Sequence, residues 1–254
     1  MTTPRIQTAV LLAAGRGARL RPFTDDRPKC LVPVRGQRLL DRLLDQLAAA
    51  GVRELVVSTG YRAEMVMAAV DAHPAGLRAH EVYNADHATT NNVVSLWRAL
   101  GHGAARRDPG VVVVETDLWL PAGLWPRLLV PGRLAVDRFD PERMDGTVLA
   151  LAEDGGVSRL WVGGAEASGA AGLWKTVNVT ALSAEDVVTV LGELEALVEG
   201  GRTGCYYEEA LALALHAGRL RMRAVRLEGE AWAEVDTPED LERASMAPRR
   251  ASAR

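Results

Sequence analysis

The chain lacks the marks of several large protein classes. Its 254 residues include only two cysteines, Cys30 and Cys205. Neither has another cysteine or a histidine at metal-ligand spacing, which excludes a disulfide scaffold and a structural zinc site and leaves two buried or incidental thiols suited to a reducing compartment. Basic charge is not in excess. The formal net charge is -3 with both signs mixed, so the cationic footprint of a nucleic-acid binder is missing. Long apolar runs are missing too: Ile6 to Ala14 is too short to span a bilayer, and no basic segment leads into a signal-like stretch. These absences predict a cytoplasmic protein whose partners are small molecules, with no nucleic acid and no membrane, and leave a homodimer open. The five histidines, His73, His80, His87, His102 and His216, are scattered, form no Ser-His-Asp or Cys-His arrangement and read as surface or packing residues.

What is present is apolar material in an alternating order. Hydrophobic residues make up 48% of the chain, enough to fill the core of a single domain, expected over 1–246 with a flexible basic tail at 247–254. Strand-like runs at Ile6–Ala13, Glu54–Ser58, Arg78–Tyr83 and Val111–Val114 alternate with helix-period segments at Leu39–Ala50, Ala63–Ala72 and Asn91–Leu100. That alternation predicts crossover units and an α/β fold, a Rossmann-like open mixed sheet, mainly parallel and flanked by helices. The second half is less regular. Strands are expected at Leu134–Asp137, Thr147–Glu153, Val157–Trp161, Trp174–Val179, Met222–Leu227 and Trp232–Val235, some antiparallel, with helices at Glu185–Leu197 and Tyr206–Ala217. A last helix follows Asp236, with Thr237 as N-cap, Pro238 at its first position and Asp240 as the acid of the cap.

The most informative stretch is the end of the first strand. It empties into Ala14-Gly15-Arg16-Gly17-Ala18-Arg19, followed by Pro22, Thr24 and the pair Pro28-Lys29. A glycine turn after a strand aims backbone N–H groups at a polyphosphate, and Arg19 and Lys29 add two cations. The stretch is not a P-loop, because no Gly-Lys-Ser/Thr follows at the required spacing. It departs from a dinucleotide fingerprint as well, since Leu20 stands where a third glycine would let the helix pack closely. Ligands of an open α/β sheet sit at the carboxyl ends of its strands, so Asp117, just beyond Val111–Val114, is expected to face the same crevice. Asp236 likewise ends an apolar run.

The order glycine, Arg19, Pro22, Thr24, Pro28-Lys29 resembles the signature of the nucleotidyltransferases that join an NTP to a phosphorylated acceptor and release pyrophosphate, the sugar-phosphate and phosphocholine types. Ala18 departs from it, standing where that family often has Ser or Thr; a hydroxyl contact is lost and the backbone N–H remains. Glu115-Thr116-Asp117 is similar to the family's short acidic motif, and Glu234 to Leu241 to its closing segment. The resemblance implies a sheet of the nucleotide-diphospho-sugar transferase type, with a nucleotide-binding half at 1–120 and an acceptor-binding half at 121–246. It implies Mg2+ held by Asp117 and Asp236, with Glu115 and Glu234 as alternates because a one-pleat slip exchanges them. A helix cap is the other role open to Asp236, and a solvated strand-end acid to Asp117. The donor site is implied at Leu12, Ala13, Ala14, Gly15, Arg16, Gly17, Ala18, Arg19 and Lys29. Arg19 takes the β- and γ-phosphates and Lys29 neutralises charge between the α-phosphate and the acceptor, so that Arg19, Lys29, Asp117 and Asp236 form the catalytic set. The acceptor oxygen, already ionised, attacks in line and needs no protein nucleophile.

Two further segments, Tyr83-Asn84 with Thr90 to Leu96, and Lys175 to Val179, are similar to the phosphocholine cytidylyltransferase-like branch, which includes enzymes acting on phosphonates. That resemblance implies CTP as donor and a small phospho-alcohol or phosphonate as acceptor, of the phosphocholine, aminoethylphosphonate or hydroxyethylphosphonate kind. Its implied contacts are Asn84, Asn92, Ser95, Lys175, Asn178, Tyr207 and Glu208. In Tyr206-Tyr207-Glu208-Glu209, aromatic faces beside a carboxylate suit an ammonium group. Ordinary capping by Asn91 and a solvated Lys175 are the alternatives there. For the whole chain, a sugar-1-phosphate nucleotidyltransferase using UTP, dTTP or GTP, and a non-catalytic nucleotide sensor, stay open.

Overall fold

The structure, a computed structural model, describes residues 5–107, 109–163 and 172–246; the tail expected at 247–254 lies outside them. β1 (Thr8–Ala13) is buried at every position. Val10 and Leu12 pack with helices on one face and Ala9, Leu11 and Ala13 with helices on the other, so the run is continuously apolar rather than alternating.

After β1 come β2 (Pro33–Val34), β3 (Gln37–Arg38), α1 (Leu39–Ala49), β4 (Glu54–Thr59), α2 (Ala63–Asp71), β5 (Arg78–Tyr83) and α3 (Asn92–Gly101). The chain continues through β6 (Gly110–Glu115), β7 (Leu118–Trp119), α4 (Trp125–Leu128), β8 (Arg133–Arg138), β9 (Val148–Leu151) and β10 (Val157–Trp161). It closes with β11 (Trp174–Ser183), α5 (Ala184–Glu199), α6 (Glu208–His216), β12 (Arg223–Arg226), β13 (Ala233–Glu234) and α7 (Pro238–Met246). The main sheet has nine strands in the order β10-β9-β11-β6-β1-β4-β5, with β8 on β11 and β12 on β8. Its first half is parallel: β1 pairs with β4 and β6, and β4 with β5. In the second half β11 runs antiparallel to β6, β8 and β9. This is the open mixed sheet, flanked by helices, that the alternation of runs predicts.

Two differences matter for the site. β11 does not stop at Val179 but continues to Ser183, whose side chain then caps α5 in a reciprocal pair with Asp186. Its register against β8 shifts between Thr176 and Thr180, where Asn178 has φ +52°. The strand expected over Trp232–Val235 shrinks to β13, which leaves the main sheet and pairs with β7. Among the described residues no helix is long and apolar enough to cross a membrane.

Candidate active site

β4 lies on one side of β1 and β6 on the other, so the connections leaving β1 and β6 diverge and open a crevice at the carboxyl ends of the strands. The glycine turn after β1 forms one wall. Gly17 sits at φ +69°, and a Cβ there would stand 2.8 Å from the Lys29 Cβ. Its lack of a side chain therefore admits the stem of Lys29, a reason beyond the access to phosphate that its spacing suggests. Thr24 Oγ1 donates to the Gly17 carbonyl at 2.8 Å and pins the turn. Thr116 Oγ1 donates to the Leu12 carbonyl at 2.8 Å and ties the end of β6 to that of β1.

The C-terminal acids reach the crevice through β13. Glu234 stands opposite Leu118, and Val235 N donates to the Asp117 carbonyl at 3.0 Å. Asp240 Oδ2 accepts from Thr237 N at 2.8 Å and from Asp236 N at 3.1 Å, while Thr237 Oγ1 accepts from Asp240 N at 3.2 Å. The capping of α7 is thus done by Thr237 and Asp240, and the Asp236 carboxylate is left for other work. Lys29 Nζ donates to Asp117 Oδ2 at 2.6 Å and also to Asp236 Oδ1, and Arg19 donates to Asp236 Oδ2 at 2.8 Å.

Asp117 is shared between two sets of acids about Lys29. One carboxylate oxygen from each of Glu115, Asp117 and Glu234 lies within 4.8 Å of the others. This brings Asp117 together with both alternates, while Lys29 Nζ joins the same Asp117 carboxylate to Asp236, so Asp117 stands close to the expected partner as well. Asn178 joins two members of the group: its Nδ2 lies 3.4 Å from both Glu115 Oε2 and Glu234 Oε1. Left-handed backbone at a non-glycine residue is costly, and asparagine is among the few that tolerate it. Asn92 Nδ2 donates to Glu115 Oε1 at 3.0 Å, and Asn92 Oδ1 accepts from Tyr207 N at 2.8 Å. Lys175, which is buried, donates to the Thr176 carbonyl at 2.7 Å and stands 3.8 Å from Glu234 Oε2.

The electrostatics follow this division. Burial alone would lower the Lys29 ammonium, but Asp117 and Asp236 outweigh it and hold it well above its ordinary value. Burial also acts to raise Asp236, and Lys29 and Arg19 more than reverse it, leaving that carboxyl below the usual range. Glu115 moves the other way, raised well above the ordinary value by burial and by Asp117, Glu208 and Glu234. Glu234 is pushed to about 7 by burial, with Lys175 opposing and Asp117 and Asp236 adding. Crowded carboxylates of this kind repel one another unless a cation is shared among them. Asp117 Oδ1 is buried without a hydrogen-bond partner, so the group offers an unused oxygen.

The crevice encloses about 370 Å³ and is lined by Leu12, Ala13, Ala14, Gly15, Gly17, Ala18, Arg19, Lys29, Asn92, Ser95, Asp117 and Asp236. Among the expected donor residues, Arg16 is not on its wall; its guanidinium lies over the Tyr61 ring at 5.4 Å. Cys30, His87, Thr90, Asn91, Glu115, Thr116 and Tyr206 also line it. A second cavity of about 730 Å³ shares Arg19 and Asp236 with the first and contains Lys175, Glu234, Asp137, Trp119 and Trp232. Asp137 Oδ2 accepts from the Trp232 indole at 2.6 Å. Several expected acceptor contacts lie behind these walls. Asn84 is buried and donates to Ser95 Oγ at 3.1 Å, and Asn178 is buried against Glu115 and Glu234. Tyr207 and Glu208 are also buried and line neither cavity. The tyrosine at the crevice is Tyr206, because Tyr207 and Glu208 turn inward at the start of α6. The amino-acid pattern gave no signal for His87, which reads as a surface or packing residue, or for Asp137 and Trp232, which come from a strand and a loop far apart in sequence.

A model of the MobA-like NTP transferase domain matches residues 9–160. Over 247 residues the chain is 34% identical to the CMP-5'-(3-aminopropyl)phosphonate synthase of Streptomyces rubellomurinus, covering 94% of this chain and 38% of that protein. It is 37% identical over 144 residues to the N-acetylmuramate alpha-1-phosphate uridylyltransferase of Caulobacter vibrioides, covering 54% of each. The chain thus spans between about a third and about half of the length of these relatives. Among solved structures, CTP:phosphocholine cytidylyltransferase from Streptococcus pneumoniae superposes with a TM-score of 0.77 at 20% identity, covering 95% of this chain and 98% of that one. The inositol-1-phosphate CTP transferase from T. maritima does so with a TM-score of 0.71 at 20% identity, covering 97% and 99%.

Proposed function

The chain belongs to the MobA-like NTP transferase family, and on that premise we propose that it transfers CMP from CTP to a small phosphonate or phosphate ester, with release of pyrophosphate. The observation that carries this reading is the junction of two cavities at Arg19 and Asp236. A triphosphate entering along the glycine turn and an anionic acceptor entering from the second cavity would meet there, beside Lys29. The phosphonate relative supports the acceptor class. So does the second cavity, which pairs the cations Arg19, Arg143 and Lys175 with Asp137 and two indole rings, a lining suited to an acceptor with an anion at one end and an ammonium at the other.

In the proposed reaction an acceptor oxygen attacks the α-phosphorus in line, one P–O bond forms, and the bond to the β-phosphate oxygen breaks. The attacking oxygen is already ionised, so no residue need remove a proton. The turn amides and Arg19 bind the β- and γ-phosphates and hold the leaving group in line. Lys29, freed from Asp117 and Asp236 as phosphates arrive, follows the charge that builds between donor and acceptor. Glu115, Asp117 and Glu234 would hold Mg2+, for which the close oxygens and the unpartnered Asp117 Oδ1 are suited. Bound there, the ion would neutralise charge on the transferring phosphate. A sugar 1-phosphate acceptor is the second reading, favoured by the uridylyltransferase relative. Pyrophosphate release measured for four NTPs against aminoalkylphosphonates, choline phosphate and sugar 1-phosphates decides between them: turnover confined to UTP and a sugar 1-phosphate would sink the first reading.

A further inference from the structure

His87 follows β5, at the end of the crevice away from the acids. The sheet order sets that separation: Glu115 ends β6 and Asp117 follows it on one side of β1, whereas Gly60 follows β4 and His87 follows β5 on the other. A nucleotide with its α-phosphate beside Lys29 would therefore extend its base toward His87. The imidazole is held firmly. Its Nδ1 lies 3.0 Å from the Asn84 carbonyl oxygen, and a Cβ on Gly60 would stand 2.6 Å from the His87 Cβ, so the turn after β4 closes on the ring. Asn84 itself is buried and fastened through Ser95 and through Asp86 N at 3.1 Å.

This contact fixes the tautomer. A carbonyl oxygen can only accept, so Nδ1 carries the hydrogen and Nε2 of the neutral ring presents a lone pair. Nε2 has no hydrogen-bond partner among the described residues. The geometry points to His87 as the residue that reads the donor base, with Nε2 accepting a hydrogen bond from an exocyclic amino group. Cytosine supplies that group, whereas uracil at the same place presents a carbonyl oxygen whose lone pairs face that of the imidazole. Adenine and guanine differ in the same way. The assignment rests on the proposed use of a nucleoside triphosphate in this crevice.

The test is the binding of CTP, UTP and tripolyphosphate to the full chain, measured by calorimetry for wild type, His87→Phe and His87→Gln. Phe removes the lone pair, and Gln can turn either an oxygen or an amide nitrogen toward the base. The wild type is expected to bind CTP about tenfold or more tightly than UTP, the effect of exchanging one good hydrogen bond for an unpaired acceptor. Both variants should bring the two nucleotides within about threefold of each other while binding tripolyphosphate like wild type, which shows that the phosphate end is intact. A CTP preference that survives in both variants overturns the assignment, as does a wild type that does not discriminate, and either leaves nucleotide binding standing. A wild type that binds no nucleotide overturns the donor reading beneath it.

Discussion

Lys29 Nζ lies 2.6 Å from Asp117 Oδ2, and the same ammonium also meets Asp236, so one cation joins strand ends that are 88 and 207 residues away in sequence. The charge that is proposed to act on the transferring phosphate thus also neutralises Asp117 and Asp236. Lys29→Met should lower kcat about 100-fold or more, the loss typical of removing a preorganised charge from a transition state, with a smaller change in the KM for CTP. Steady-state pyrophosphate release checks this. Equal losses in Lys29→Met and Lys29→Arg would point to the precise ammonium position, and retention in the arginine variant to charge alone.

Gly17→Ala is expected to weaken the site through Lys29. The φ of +69° disfavours any side chain by roughly 1–2 kcal/mol, and the new Cβ would be 2.8 Å from the Lys29 Cβ. Both the unfolding midpoint and kcat should fall. Gly15→Ala, whose Cβ meets nothing within 4 Å, should leave the midpoint unchanged and affect only nucleotide affinity. Thermal unfolding of the two variants side by side gives the comparison.

Removing one acid from the cluster should separate the two groups of carboxylates. Asp117→Asn is expected to abolish Mg2+-dependent turnover, and Glu115→Gln to raise the Mg2+ concentration needed for half-maximal rate about tenfold. Chelation should stop the wild type reversibly. A rate in Asp117→Asn equal to that of wild type would refute the metal site proposed at Glu115, Asp117 and Glu234.

Glu208, which lines neither cavity, offers a further pH signature. Burial pushes it to about 7, above the value of about 4.3 expected in the unfolded chain. Between those values the native state retains a proton that the unfolded state has lost, so stability falls as pH rises through this window. Glu208→Gln keeps the shape and removes the titration. Its stability relative to wild type should rise by several kcal/mol in order of magnitude as pH rises from about 4.5 to about 7, with the difference absent below the window. Chemical denaturation across that range reads it directly.

The elements with strong local signals were legible from the chain. The fully apolar run at Val111–Val114, the alternation of strands and helices, and the Thr237-Pro238-Asp240 cap each appear in the structure as their residue types demand. The place of the glycine turn and Lys29 at the crevice was also readable, because it depends on residue type and short spacing after a strand. What was not readable depends on pairing across distance. The β7–β13 contact sets Glu234 beside Glu115 and Asp117, and no local pattern shows that Glu234 as well as Asp236 comes close to Asp117. The left-handed Asn178 lies inside an apolar strand whose composition gives no hint of a register shift. Tyr206 and Tyr207 are adjacent and chemically alike, and only the direction of entry into α6 decides which one faces the crevice.

The most direct measurement is to incubate the protein with CTP, Mg2+ and an aminoalkylphosphonate, and to follow both products by 31P NMR. A new CMP–phosphonate linkage and pyrophosphate should appear in equal amounts, and both should be absent in Asp117→Asn. Binding of CTP without either product, for every phosphonate, phosphate ester and sugar 1-phosphate tried, would contradict the account.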